Sequence, residues 1–238
     1  MVKNHLYHIA LIDLLWMLIP VGIVIFFYFH WTKDSKTLPY ALARMLLQLL
    51  GIGYLLVYIF HTKSPYLTGA ILSVMLVAAS IIAMRPLPDT GKHIVLALFS
   101  ISIGGLLVLG LVVFGVLKPS PWFDPKVVIP LAGMIFANSM NAVSIAAERL
   151  HSEIDDGKRP QKARSSAYQA ALIPIVNSLF AVGLVSLPGM MTGQILSGVD
   201  PLIAVRYQMM VMLMILGSAG ISVAVYLIAT KRNNKIYP

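Results

Sequence analysis

An all-α integral membrane protein is the fold class predicted by three features of this 238-residue sequence. Hydrophobic residues make up 58% of it and charged residues 11%, far from the roughly one-quarter charged composition of soluble domains. The apolar residues gather into about seven runs, each long enough to cross a hydrocarbon core that takes about 20 residues per helix. The Lys and Arg side chains sit at the edges of these runs, as orientation signals do.

The first run, Tyr7–Trp31, has only Lys3 before it. It is too long for a secretory signal and lacks a small-residue cleavage site, so a retained helix is expected. The second, Pro39–Phe60, places Arg44 and Gln48 four residues apart, on a helical face shared with Gly51 and Leu55. Arg44 would lie only about 8 Å from the helix end. It can snorkel while Gln48 bonds a neighbouring helix, or the pair can shape a transport path. Tyr66–Met84 and Ile94–Leu117 follow as the third and fourth runs.

The fifth run, Val127–Leu150, carries a polar face. At about 100° per residue, Asn138, Asn141, Ser144 and Glu148 fall within a sector of roughly 120°, beside Met134. Interhelical hydrogen bonding would explain two asparagines, but a stripe that continues to an acid favours a wet cavity or substrate path. Glu148 and His151 also make an ExxH pair, a spacing that puts a carboxylate and an imidazole on one face for a metal. A solvated helix terminus explains that pair as well.

The sixth run, Ala167–Leu187, leads into Pro188, Gly189, Met190, Met191, Thr192, Gly193 and Gln194. This stretch is too short and glycine-rich for a span and too apolar for a solvated loop. Non-helical backbone at membrane depth survives only when buried in protein or lining water, so a re-entrant gate or outer constriction is expected there, or a structural corner. The seventh run, Leu202–Thr230, is crowded with Met209, Met210, Met212 and Met214. Thioethers bind soft ions, but with no cysteine in the chain and few histidines nearby, flexible packing is their commoner role.

Seven spans put the two ends on opposite sides. One set of loops carries Lys33, Lys36, Arg85, Lys92, Arg149, Lys158, Arg159, Lys162, Arg164, Lys231, Arg232 and Lys235; the other carries Lys3, Lys63, Lys118 and Lys126. The asymmetry predicts the N-terminus outside, the C-terminus and the connection His151–Ala167 in the cytoplasm, and Pro188–Gln194 on the outer side. Without repeats or a soluble segment, residues 1–238 are expected to form one transmembrane domain.

Several functions are excluded. The basic residues lack the interleaved aromatics that stack bases, so the formal charge of +9 does not point to nucleic acid. HExxH, GxSxG and CxxC are absent, and Gly91-Lys92 has Pro86 where a P-loop needs its first glycine. The chain has no Walker motif of its own with which to hydrolyse ATP, and no enzyme activity or bound cofactor is expected of it.

GMIFANSMNAVSIAAERL (Gly133–Leu150) resembles the GMxxGNxMNxxSLxxNRL segment of FetB-type permease subunits of iron-exporting ABC transporters. AALIPIVNSLFAVGLVSLPGMMTGQILSGVDPLIAVRYQ (Ala170–Gln208) resembles the adjoining signature, and RMLLQLLGIGYLLVYIF (Arg44–Phe60) the family's RxxxQLxxxG helix. The resemblance implies a multi-pass plasma-membrane permease exporting iron or another metal cation, a homodimer embedded in lipid and joined to two copies of a cytosolic ATPase subunit that uses the ATP. Export of a different substrate, or a membrane scaffold or regulatory subunit without transport, is the alternative. Under the permease interpretation, Glu153, Asp155, Asp156, Gly157, Lys158 and Arg159 would couple to the ATPase. The sequence departs from the family pattern at Ala137, where the motif has glycine, and at Glu148, where it has asparagine. It also departs in the connection before Pro174, where the family carries about four more helical turns.

Overall fold

The computed structural model describes residues 10–62, 64–87 and 90–232, and every regular element among them is helical, apart from one isolated bridge between Val182 and Ser186. Lys3, Tyr7, Lys63 and Lys235 lie outside the described residues. The chain divides into two compact units, one running to Thr62 and including Leu196–Gly198, the other holding the rest.

In the first unit a 3₁₀ segment, Leu11–Met17, leads into α1 (Leu18–Thr32), and α2 spans Thr37–His61. Lys33 ends α1 in the left-handed conformation, its N–H donating to Phe29 O at 2.9 Å. Asp34 then organises the start of α2, its Oδ1 accepting from the backbone N–H groups of Lys36 (3.0 Å) and Thr37 (3.1 Å). Hydrogen bonds from Thr37 and Lys36 stabilise the carboxylate and lower its pKa to about 2. No residue of α1 is buried, and Phe26, Phe29 and Trp31 point outward, as lipid-facing side chains do.

The second unit holds α3 (Pro65–Ala83), α4 (Thr90–Gly110, continued by a π-helical stretch Leu111–Leu117), α5 (Pro125–Asp155), α6 (Pro160–Ala181), α7 (Gly189–Leu196) and α8 (Pro201–Arg232). Proline opens α3, α5 and α6, where its missing N–H is no loss. Asp124 and Asp200 accept from the N–H groups of Lys126 and Leu202 to start α5 and α8. The core forms where α4, α5 and α8 meet, with Ala97, Ala132, Ala142, Ala146, Ala147 and Ala219 all buried. Small residues dominate because lipid tails are as apolar as leucine, leaving close packing to hold helices together. Gly104 shows how close: a Cβ there would stand 2.3 Å from Ser222 Oγ and 2.8 Å from Ser218 O.

Among the described residues, six helical stretches are long and apolar enough to cross a membrane: Ile12–Thr32, Thr37–Phe60, Pro65–Ala83, His93–Leu117, Pro125–Asp155 and Pro201–Thr230. The sixth sequence-derived run, Ala167–Leu187, is displaced. Its helix, α6, starts at Pro160 among polar residues and stops at Ala181, where Val182 turns extended. Gly183 takes φ +85°, and the N–H groups of Leu184, Val185 and Ser186 converge on Ala181 O. The connection His151–Ala167 is likewise corrected from a loop to helix for most of its length. Only Asp156–Arg159 separate α5 from α6, because Gly157 at φ +76° lets Lys158 N–H fold back onto Glu153 O.

Candidate functional site

The polar face of α5 comes from helical periodicity, and packing gives it meaning. The opposite side of α5 buries Ile135, Phe136, Ser139, Ala142, Val143, Ala146 and Ala147 within its unit, which leaves Asn141 and Glu148 exposed and Asn138 and Ser144 half-buried. Asn138 Nδ2 donates to Met134 O at 2.8 Å, so its amide nitrogen finds its partner within its own helix. An acid and amides on the uncovered side of a membrane helix require polar cover, since lipid supplies none. Arg44 and Gln48 belong to α2 in the first unit, where Arg44 is half-buried and Gln48 exposed.

At the basic end, Glu153, one of the residues expected to couple to an ATPase, is 1% exposed. Arg149 Nη2 approaches its Oε1 and Lys158 Nζ its Oε2, both at 2.5 Å. Glu153 therefore clamps the α5–α6 corner, while Asp155, Asp156, Gly157, Lys158 and Arg159 are exposed on it. The sequence held one signal for this clamp, the i, i+4 spacing of Arg149 and Glu153.

His151 Nε2 lies 3.3 Å from Asp155 Oδ2 on the same corner. Among the described residues no group of three or more His, Asp or Glu gathers that could hold a metal ion, so the Glu148/His151 pair gains no third ligand here.

The Pro188–Gln194 stretch is also corrected: Gly189–Leu196 is a two-turn helix, α7, rather than irregular backbone. The Thr192 hydroxyl donates to Pro188 O at 3.1 Å, holding the first turn. A Cβ at Gly189 or Gly193 would meet nothing within 4 Å, so these glycines serve no tight packing within the chain. Met190 packs against the core, and Met191 and Gln194 are half-buried. Met214 is buried and Met210 packs against the core, as expected of flexible fillers.

Sequence reasoning missed a buried polar knot at the same basic end. His93 Nδ1 lies 3.0 Å from Tyr226 Oη, which donates to Met84 Sδ at 3.7 Å, tying α4, α8 and the end of α3 together. No spacing rule links positions so far apart in the chain.

Long apolar helices packed through small residues define a multi-pass helical membrane protein. The chain belongs to the uncharacterised protein family UPF0014, which matches residues 11–234. It is 36% identical over 222 residues to "UPF0014 membrane protein slr1647" of Synechocystis sp., covering 86% of this chain and 85% of that one. It is 33% identical over 217 residues to "Probable iron export permease protein FetB" of Escherichia coli, covering 84% and 83%. "Protein ALUMINUM SENSITIVE 3" of Arabidopsis thaliana is 33% identical over 200 residues, covering 77% and 71%. No solved structure matches. The resemblance drawn from the Gly133–Leu150 and Ala170–Gln208 motifs is thus borne out at the level of the family.

Proposed function

We propose that this chain is the permease subunit of an ABC-type exporter in the plasma membrane, moving iron or another metal cation out of the cytoplasm with ATP consumed by a separate cytosolic ATPase. The observation that carries the proposal is the uncovered polar stripe on α5, where Asn141 and Glu148 are exposed beside Asn138 and Ser144. Two copies facing each other across such stripes would give one another the polar cover that lipid denies, and would enclose an oxygen-rich path suited to a hard cation. The name of the Escherichia coli relative supports export and iron, and that of the Arabidopsis relative brings aluminium into the choice of metals to test. The exposed corner Asp155–Arg159 offers the ATPase a docking point, with Glu153 and its two cations bracing it from inside.

The test is metal accumulation in cells expressing the wild type, Asn141→Leu or Glu148→Leu, across several metals. Both side chains are exposed, so the variants should insert and purify normally while accumulation rises to that of cells lacking the protein. Normal export by both variants would return the stripe to a structural role, and a wild type that co-purifies with no ATPase would overturn the two-component scheme.

A further inference from the structure

Between the first half of α6 and the last turns of α8 lies an open groove of about 940 Å³, contained entirely within the second unit. Arg159, Gln161, Arg164, Ser165 and Tyr168 of α6 form one side, and Ala224, Leu227 and Ile228 of α8 the other. Among the described residues no acidic side chain lines it. The Tyr168 hydroxyl rests against α8, where a Cβ at Gly220 would stand 3.5 Å away. From Arg159 to Tyr168 the groove runs about 13 Å along α6, with two guanidiniums, an amide and a hydroxyl on that wall and aliphatic side chains on the facing one.

We infer that this groove binds an anionic phospholipid of the leaflet that meets the basic ends of the helices, the cytoplasmic leaflet under the orientation proposed from the charge pattern. A cationic, polar wall facing an aliphatic one suits an amphipathic anion, with phosphate against the two arginines and the start of an acyl chain against Leu227 and Ile228. Basic pockets between transmembrane helices recognise lipid headgroups in this way, the guanidinium supplying paired donors to phosphate oxygens. Position separates a lipid from a water-soluble partner. Leu227 and Ile228 lie within the membrane-crossing stretch Pro201–Thr230, and Ile228 is 68% exposed, at a depth that lipid reaches and a cytosolic protein does not. The inference uses only the groove and is independent of export.

Purified protein in detergent, offered phosphatidylglycerol and phosphatidylcholine of matched acyl chains, should retain the anionic lipid preferentially in native mass spectrometry. An arginine near a membrane surface contributes enough to set a preference of about fivefold. Arg164→Ala and the length-conserving Arg164→Gln should both bring the ratio toward parity. Arg164→Lys, and Arg206→Ala near the opposite end of α8, should keep it. Equal retention of the two lipids by the wild type overturns the assignment, as does an equal loss in Arg206→Ala. Displacement of the lipid by glycerol phosphate at the same concentration would show an anion site without its apolar half. A change in self-association on Arg164→Ala with lipid retention intact would show that a second copy fills the groove. Either result sinks the proposal.

Discussion

Glu153 and Glu148 lie five residues apart on one helix and have opposite surroundings. Glu148 is exposed on the polar stripe, whereas Glu153 is enclosed at the α5–α6 corner between Arg149 and Lys158. Glu153→Gln leaves both cations without their counter-charge and should lower the melting temperature of the purified protein. Asp155→Asn, at an exposed position, should change it little. Equal melting temperatures for Glu153→Gln and the wild type would count against the ion pairs as a brace. At this scale the stripe was legible in the sequence, because four polar residues at helical spacing need only 100° arithmetic. Glu153 was not, because in the string HSEIDDGK it is one acid among three and only the packing of α6 onto α5 turns it inward.

Helices in this molecule meet through missing side chains. α4 and α8 have the most extensive contact in the chain, and Gly104 lies where they cross. A Cβ at this position would collide with Ser222 Oγ at 2.3 Å, Ser222 N at 2.7 Å and Ser218 O at 2.8 Å, two of them backbone atoms that cannot swing aside. Gly104→Val should therefore cost at least the roughly 1–3 kcal/mol typical of overpacking and reduce the yield of monodisperse protein in size-exclusion chromatography. Gly110→Ala, where a Cβ meets nothing within 4 Å, should elute as the wild type does. Equal behaviour of the two variants would mean that the crossing is looser than the coordinates show. Hydropathy located six of the long helices to within about five residues, since length and apolarity alone define a span. It misplaced α6, whose first half is polar, and the glycines of Pro188–Gln194 suggested irregular backbone where α7 forms. Both differences arise where local hydrogen bonding outweighs composition: Gly183 and Ala181 O terminate α6 early, and Thr192 secures the first turn of α7.

For the molecule as a whole, topology turns on α6, among the described residues the one long helix that is not apolar enough throughout to count as a span on composition. Its 22 residues would reach about 33 Å, a full hydrocarbon core. With no native cysteine, the chain accepts single labels cleanly. Asp156→Cys, before α6, and Val199→Cys, after α7, are both at exposed positions. If α6 crosses, an impermeant maleimide added to intact cells should label Val199→Cys alone, and Asp156→Cys only after permeabilisation. Labelling of both positions from the same side would remove the seventh crossing and the opposed termini with it. By itself the sequence determined that this is a multi-pass helical membrane protein and the family to which it belongs. The reason is that hydrocarbon offers backbone groups no partners, so a chain this apolar satisfies them within long helices, and composition alone reveals it. Tertiary structure alone decided which face of each helix turns inward, that Glu153 is a brace, that Met84, His93 and Tyr226 meet, and that α6 and α8 leave a groove between them. In lipid both faces of a helix can be apolar, so inward faces are chosen by shape, by the fit of Gly104 against Ser222, and shape is not written in hydropathy.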